Sequence, residues 1–421
     1  MFKKDSFVAK IICIIFSLCI LFSMELASRI IFPATSLDKI IVMLKQDPTL
    51  FWRQKLNIKT KFQGYDVATD WMGLRNKNLS RAKKVGITRI ICLGASPTFG
   101  WGVNYEDTYS FQLERLLNRN SKRSFEVINA GEIGYSSYQG LLLLKNEIIK
   151  LNPDIITVSY GLNDIDKYRF FRSNEASDKE LKPLNIYLVG LINAIQQSKF
   201  VRVLERLAFT LNHRGSRYFN SSGAAYFLGG ERVSPADYEK NLQEIVNFCF
   251  QKRIKLILVK IPVNLPLPNQ ITEVKNAESR AYLAQGVLNL TNHKYETAIK
   301  FFLSSKKDNP YLSDAYYYLG VCYEKKGEFQ MARLYFMKAR EQEAFRCGLE
   351  GQRYNHIMEM VANKNNTPLV DIVSVFKTNK EYLFVDQKHD PIHPNAIGHN
   401  IIGLEIYNTL IKSEFIRLPS R

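Results

Sequence analysis

Five residues of this chain have the types and the order that acyl transfer needs: Ser96, Gly134, Asn163, Asp390 and His393. Ser96 lies in Arg89-Ile90-Ile91-Cys92-Leu93-Gly94-Ala95-Ser96-Pro97-Thr98-Phe99-Gly100-Trp101-Gly102, an apolar run that becomes a glycine-rich loop. A serine where a buried strand stops is exposed at the carboxyl edge of a sheet, where open α/β folds put their ligands. Attack by a serine needs a base for its proton, a group that orients the base, and donors for the oxyanion. His393 can be the base. Asp390, in Asp390-Pro391-Ile392-His393-Pro394, can reach the other ring nitrogen if this stretch turns, fixing the tautomer and stabilising the imidazolium. Pro391 and Pro394 stiffen that loop. The backbone N–H of Ser96, the backbone N–H of Gly134 and the side-chain amide of Asn163 can donate to the oxyanion, because each follows a different strand-like run. Glycine suits the second position, where a side chain would crowd the acyl carbon. His389 is the poorer base, and His399 reads as a packing or capping residue of the last helix. Each part alone reads as a turn, a cap or a chance spacing; the ordered set reads as catalysis.

The elements that must position these residues alternate between apolar strand and amphipathic helix. Strands are expected at 89–93, 125–129, 154–160, 254–261 and 368–372, and helices at 107–117, 138–151, 238–252 and 395–412. Short β-branched runs separated by helical lengths predict a parallel, helix-covered sheet. Two insertions interrupt it. Residues 165–235 hold a helical piece at 186–211 and a Gly/Ser-rich loop, Ser221-Ser222-Gly223, and read as a lid, a substrate wall or a structural cap. In the second insertion Gly286 and Gly320 are 34 residues apart, as are Ala298 and Ala332, Tyr295 and Phe329, and Phe302 and Phe336. That period and its small/aromatic pattern match tetratricopeptide repeats. Such a pair offers either a groove for a protein partner or a rigid spacer.

Serine, glycine, asparagine and histidine in this order, each in its own block, resemble the SGNH/GDSL hydrolase family over about residues 88–262 and 350–413. The resemblance implies a three-layer α/β/α, flavodoxin-like fold and metal-free ester hydrolysis, on substrates from lipids to O-acetylated sugars. It makes Ser96 the nucleophile, Gly134 and Asn163 oxyanion donors, His393 the base and Asp390 its orienter. The first block departs from the family's Gly-Asp-Ser, reading Gly94-Ala95-Ser96. The missing aspartate is not a triad member, so its loss touches hydrogen bonding around the loop. No Gly-x-Ser-x-Gly elbow, Walker A, HExxH or dinucleotide fingerprint is present. No cofactor is expected, and no CxxC spacing indicates a metal site or a disulfide framework.

The flank Phe2-Lys3-Lys4 and Lys10 precede an uncharged run from Ile11 to Met24, about 21 Å as a helix. Flanking apolar residues and a snorkelling Lys10 lengthen it. Glu25-Leu26-Ala27-Ser28 fits a cleavage site poorly, which favours an uncleaved anchor over a cleaved signal peptide. The lysines keep the N-terminus cytoplasmic and put the body outside, in the periplasm. The formal net charge of +18 fits a solvated lysine-rich surface. No aromatic and basic weave points to nucleic acid.

The expected organisation is therefore an anchor at 1–29, a membrane-proximal prelude at 30–87, and a hydrolase domain at 88–275 and 346–421, interrupted by a repeat pair at 276–345. The expected function is a membrane-anchored esterase acting on O-acyl groups, acetyl foremost, of a cell-envelope glycan or lipid. The alternatives are an O-acyltransferase, or a glycan-binding scaffold that recruits partners through its repeats.

Overall fold

The computed structural model describes residues 2–32, 42–62, 64–77, 79–121, 123–165, 177–212, 231–262, 277–308, 313–342, 349–379, 381–385 and 392–417. The chain divides into two units, Met1–Lys55 with Lys182–Phe227, and Leu56–Leu181 with Leu228–Arg421.

The larger unit is built on a five-stranded sheet of β5 (Ile87–Gly94), β6 (Ser124–Gly131), β7 (Ile155–Ser159), β8 (Lys255–Val259) and β9 (Leu369–Val370). All neighbours pair in parallel, in the order β6-β5-β7-β8-β9. This is the doubly wound flavodoxin-like order, whose winding reverses between β5 and β7. Ile90, Ile91, Cys92 and Leu93 are all fully buried, because helices cover both faces of the sheet and a central strand must then be apolar on both sides. Helices Tyr109–Asn120 and Ala396–Lys412 cover one face. There Leu113, Leu117, Ile402, Ile406 and Leu410 pack with Ile90, Cys92 and Val127. Helices Ser137–Asn146 and Leu349–Lys364 both pack against helix Pro235–Gln251 in a second helical layer. The expected three-layer α/β/α class is therefore the observed one.

Boundaries differ in two instructive places. The expected helix 138–151 is interrupted at Glu147 and continues as a 3-10 turn, Ile148–Leu151, ended by a left-handed Asn152. The expected fifth strand shrinks to two residues, because Asp371 caps helix Ile372–Thr378 by accepting the Ser374 N–H. The unit also contains a hairpin, β3 (Lys59–Phe62) with β4 (Tyr65–Ala68), which polar four-residue strands conceal in the sequence.

Between β8 and helix Leu349–Lys364, four described helices follow one another as two hairpins, Ala277–Thr291 with Tyr295–Asp308 and Ser313–Lys325 with Phe329–Gln342. A Cβ on Gly286 would lie 2.4 Å from the Phe302 ring, so only glycine lets the first pair approach this closely. Ala298, Ala315, Leu319 and Phe302 are fully buried between the helices.

The smaller unit contains helix Phe2–Ile31, a hairpin of β1 (Leu44–Asp47) and β2 (Phe51–Gln54), and helices Ile186–Ile195 and Lys199–Asn212. The expected single helical piece at 186–211 is thus two helices. Their Ser221-Ser222-Gly223 continuation lies outside the described residues. Ala9–Ile31 is long and apolar enough to cross a membrane or to act as a signal sequence. Within this unit Gln46 and Asn193 exchange two hydrogen bonds across 147 positions of sequence, so the β1 segment packs with the 182–227 segment.

Candidate active site

β5 ends in Gly94, and the chain turns at once into a short helix, Ser96–Phe99, with Pro97 in its first turn. The turn is held by backbone bonds from Phe99 N–H to the Ala95 carbonyl and from Gly100 and Trp101 N–H to the Ser96 carbonyl. Two glycines make room for it. A Cβ on Gly94 would sit 2.0 Å from Thr98 Oγ1, and one on Gly131, at the end of β6, would sit 2.1 Å from Phe99 N. Ser96 therefore stands at the carboxyl edge of the sheet, beside the reversal point.

The sheet brings His393 to it from the far end of the chain. His393 Nε2 lies 2.8 Å from Ser96 Oγ, and both residues are buried. A neutral imidazole with a bare Nε2 accepts the serine O–H across that distance. Trp101 stacks on the His393 ring at 5.3 Å and 20°, and Phe62 packs edge-on against Trp101 at 4.6 Å. The loop carrying His393 is pinned by Asn395. Its N–H donates to Leu383 and its side-chain amide to Tyr382 and Phe384, while its Oδ1 caps the last helix through Gly398 N–H. Asp390, His389 and the rest of 386–391 lie outside the described residues.

Gly134 follows β6 in a turn that requires φ +77°. Its carbonyl accepts from Arg232 Nη1 at 2.8 Å, and Arg232 is in turn paired with the buried Asp178. Asn163 is the second residue of a short helical turn, Leu162–Ile165, after β7, and its side-chain amide donates to the Tyr135 carbonyl at 3.1 Å. Ser96, Gly134 and Asn163 thus sit on three adjacent strand ends. Next to Asn163, the buried Asp164 accepts the backbone N–H and the hydroxyl of Ser137 at the start of helix Ser137–Asn146. Burial pushes the Asp164 carboxyl up to about 7. His399 is fully buried in the last helix, where its Nδ1 accepts Tyr109 N–H at 3.2 Å. Burial, then Arg75 and His393, hold it down at about 3. Of the two roles expected for it, packing or capping, packing is the one observed.

Three residues of the setting escaped the sequence reading. Arg75 is buried and donates to the carbonyls of Phe99, Gly100, Val103 and Asp66. Asn76 donates to the Asn129 carbonyl and accepts Asn129 N–H. Asn129 donates to the Thr98 carbonyl and accepts Gly131 N–H. Arg75 and Asn76 stand in the polar stretch before β5, where nothing sets them apart from surface residues. Asn129 had the one available signal, a polar residue in a strand that is otherwise apolar at its centre. Among the described residues no group of three or more His, Cys, Asp or Glu side chains is placed to hold a metal ion.

Residues 92–227 match the family described as GDSL-like Lipase/Acylhydrolase. The chain carries a GDSL-like acylhydrolase domain. That family is one of ester-hydrolysing enzymes, and the match includes Ser96, Gly134 and Asn163 while ending before His393. Solved structures similar to the chain include a lipase/acylhydrolase from Enterococcus faecalis, at 12% identity and TM-score 0.39, with 79% of this chain and 100% of that one covered. An acetyl xylan esterase from Geobacillus stearothermophilus is similar at 13% identity and TM-score 0.36, covering 79% and 97%. No curated protein matches the chain.

Proposed function

We propose that this GDSL-like enzyme is a membrane-anchored serine esterase that removes O-acyl groups, acetyl foremost, from a cell-envelope glycan or lipid. The observation that carries the catalytic part is the 2.8 Å approach of Ser96 Oγ and His393 Nε2 from positions 297 apart in sequence. Ser96 Oγ attacks the acyl carbon while His393 Nε2 takes its proton. The oxyanion forms against the N–H groups of Ser96 and Gly134 and the Asn163 amide. The imidazolium then gives its proton to the departing alcohol oxygen, leaving an acyl-serine. Water, deprotonated by the same nitrogen, attacks the acyl-serine, and Ser96 recovers its proton as the acid leaves. Asp390 is assigned to the other ring nitrogen. Stacking on Trp101 holds the imidazole ring in place for both steps.

The glycan or lipid substrate rests on location. The apolar helix Ala9–Ile31 and the basic flank before it support a span with the enzyme outside the cytoplasm. The helical hairpins between β8 and β9 support the tetratricopeptide reading, with a protein partner as their ligand. An acyltransferase would share every step but the last, using a second hydroxyl in place of water.

The test is labelling of the full-length protein in detergent with a fluorophosphonate probe, the adduct being located by peptide mass spectrometry. Label on Ser96 that disappears in Ser96→Ala, and falls by about a hundred-fold or more in His393→Ala, is the expected result. A folded protein that takes no label overturns the hydrolytic assignment.

A further inference from the structure

Helix Ile186–Ile195 leaves an apolar face without a partner among the described residues. Ile186, Tyr187, Leu188, Leu191 and Ile195 are between 44% and 85% exposed, and Val189 is its one buried residue. Its orientation is fixed, because Asn193 exchanges hydrogen bonds with the backbone of Gln46 in β1. Val189 and Asn193, four apart, therefore face inward. Tyr187, Leu191 and Ile195, each four apart, form a continuous outward stripe. Single exposed leucines are ordinary on a protein surface, but five large apolar side chains on ten residues are not.

The place of this helix says what covers it. Immediately after it, Ser198 Oγ and the backbone N–H groups of Lys199 and Phe200 all donate to the carboxylate of Glu25, at 2.7, 3.0 and 3.0 Å. Glu25 lies in the last part of the apolar helix Ala9–Ile31. The end of the exposed helix is thus tied to the depth at which the apolar helix leaves the hydrocarbon. The same unit holds a cationic group. Lys55 has Arg202 and Lys45 as its charged neighbours, and burial followed by those two charges lowers its pKa. Arg202 Nη1 donates to the Gln196 carbonyl at the end of the exposed helix, and Lys45 adjoins Gln46, on which that helix docks; an apolar stripe with cations at its end is the pattern an anionic lipid surface recognises.

We propose that helix Ile186–Ile195 lies in the plane of the membrane, with Tyr187, Leu191 and Ile195 among the acyl chains of the leaflet from which helix Phe2–Ile31 emerges, and with Lys45, Lys55 and Arg202 toward anionic headgroups. This rests on the membrane-anchor reading above. The enzyme then holds its membrane at two points, a span and an interfacial helix, which restricts its tilt as a span alone does not.

The test uses full-length protein in nanodiscs of phosphatidylcholine with one quarter phosphatidylglycerol. Three single-site versions carry an environment-sensitive fluorophore, in a background with Cys13→Ser and Cys347→Ser and with the buried Cys92, Cys249 and Cys322 retained. One keeps Cys19, on the apolar helix. The others replace Cys19 by serine and carry Leu191→Cys, or Phe250→Cys on an exposed position of the other unit. Ile195→Cys stands in if Leu191→Cys fails to fold. The expected result is that the Leu191 label, like that at Cys19, is quenched by lipids brominated in the acyl chain and is about five-fold less open to aqueous iodide than the Phe250 label. Omitting phosphatidylglycerol should weaken the lipid quenching at Leu191 and leave that at Cys19 unchanged. A Leu191 label as open to iodide as Phe250, with Cys19 in the lipid, overturns this inference and leaves the anchor standing. A Cys19 label open to iodide overturns the anchor and the inference together. A Leu191 label shielded from both quenchers, with label-to-label energy transfer, shows that a second copy covers the face and likewise overturns it. Lipid quenching at Leu191 that is indifferent to phosphatidylglycerol overturns the headgroup assignment.

Discussion

Arg75 donates from both terminal guanidinium nitrogens to the carbonyls of Phe99, Gly100, Val103 and Asp66, and its guanidinium lies 4.7 Å from the Phe99 ring centre. Burial lowers its pKa only to about 10, so it stays charged at neutral pH. Three of the four carbonyls belong to the loop that begins at Ser96, so one cation satisfies the groups that a tight turn leaves without a helical partner. Arg75 spends its donors on the backbone of that loop and of Asp66 and acts on Ser96 through them, which makes it a positioning residue. Arg75→Met keeps the volume and removes charged donors from four carbonyls; those of Phe99 and Gly100 keep only the longer bonds from the Asn129 amide and the Val103 N–H, and each buried carbonyl left without an adequate donor costs about 1–3 kcal/mol. The expected outcome is a loss of roughly 3 kcal/mol or more in stability, read by denaturant unfolding, together with about ten-fold slower fluorophosphonate labelling of Ser96. Arg75→Lys should fall between the two, because one ammonium cannot span four acceptors. Labelling and unfolding of Arg75→Met at wild-type values would remove this role. Residues of this kind leave no trace in a sequence. Their partners are carbonyls, which every residue has, whereas Ser96 and His393 announce themselves by side-chain chemistry at a strand end and before a last helix.

At the scale of elements, the strands and helices of the main sheet were legible because each is a short apolar run or an amphipathic period bounded by turn residues. The hairpins were not. Lys59-Thr60-Lys61-Phe62 is too polar and too short to read as a strand, and it forms because Tyr65–Ala68 folds back on it. The helix at 186–195 was legible as a helix, while its docking on β1 was not, since that contact joins residues 147 positions apart. Gly131 shows how element packing reaches the site. β6 can end against the Ser96–Phe99 turn only without a side chain, since a Cβ at Gly131 would lie 2.1 Å from Phe99 N and 2.6 Å from Phe99 Cα. Those obstacles are backbone and cannot swing aside. Gly131→Ala should therefore slow Ser96 labelling by about ten-fold or more through a displaced nucleophile turn. Gly64 supplies the contrast. Its φ of +89° is strained for alanine, but a Cβ there meets nothing within 4 Å. Gly64→Ala should lower the melting temperature slightly and leave the labelling rate unchanged. Equal labelling of the two variants would mean that the close approach of β6 does not set the geometry of Ser96.

At the scale of the whole molecule, two fully buried groups among the described residues push the pH dependence of stability in opposite directions. Asp164 is raised from 3.8 to about 7 in the folded chain by burial. Between those values the folded state keeps a proton that the unfolded state has lost. Its contribution is thus fully present below pH 3.8 and disappears as the pH rises through 7. His399 is lowered from 6.5 to about 3. Here the unfolded state holds the extra proton, so the contribution is present above pH 6.5 and disappears as the pH falls toward 3. From about pH 4 to 6.5 both windows are open, and the two slopes, each approaching about 1.4 kcal/mol per pH unit, cancel. The hydrogen bonds allow each group to be removed singly. Asp164 Oδ1 accepts both the N–H and the hydroxyl of Ser137, which leaves Oδ2 to carry the proton, and an asparagine carbonyl in the place of Oδ1 can accept both bonds. His399 Nδ1 accepts from Tyr109 N–H, a role a glutamine carbonyl can fill. Relative to the unmutated chain, Asp164→Asn should gain stability steadily as the pH rises from 4 to 7. His399→Gln should gain stability as the pH falls from 6.5 to 4. Denaturant unfolding at half-unit steps of pH, reported as variant minus parent, isolates each term from the other titrating groups. Difference curves that slope the same way in both variants, or that stay flat across this window, would show that these two buried groups do not set the pH response of the fold.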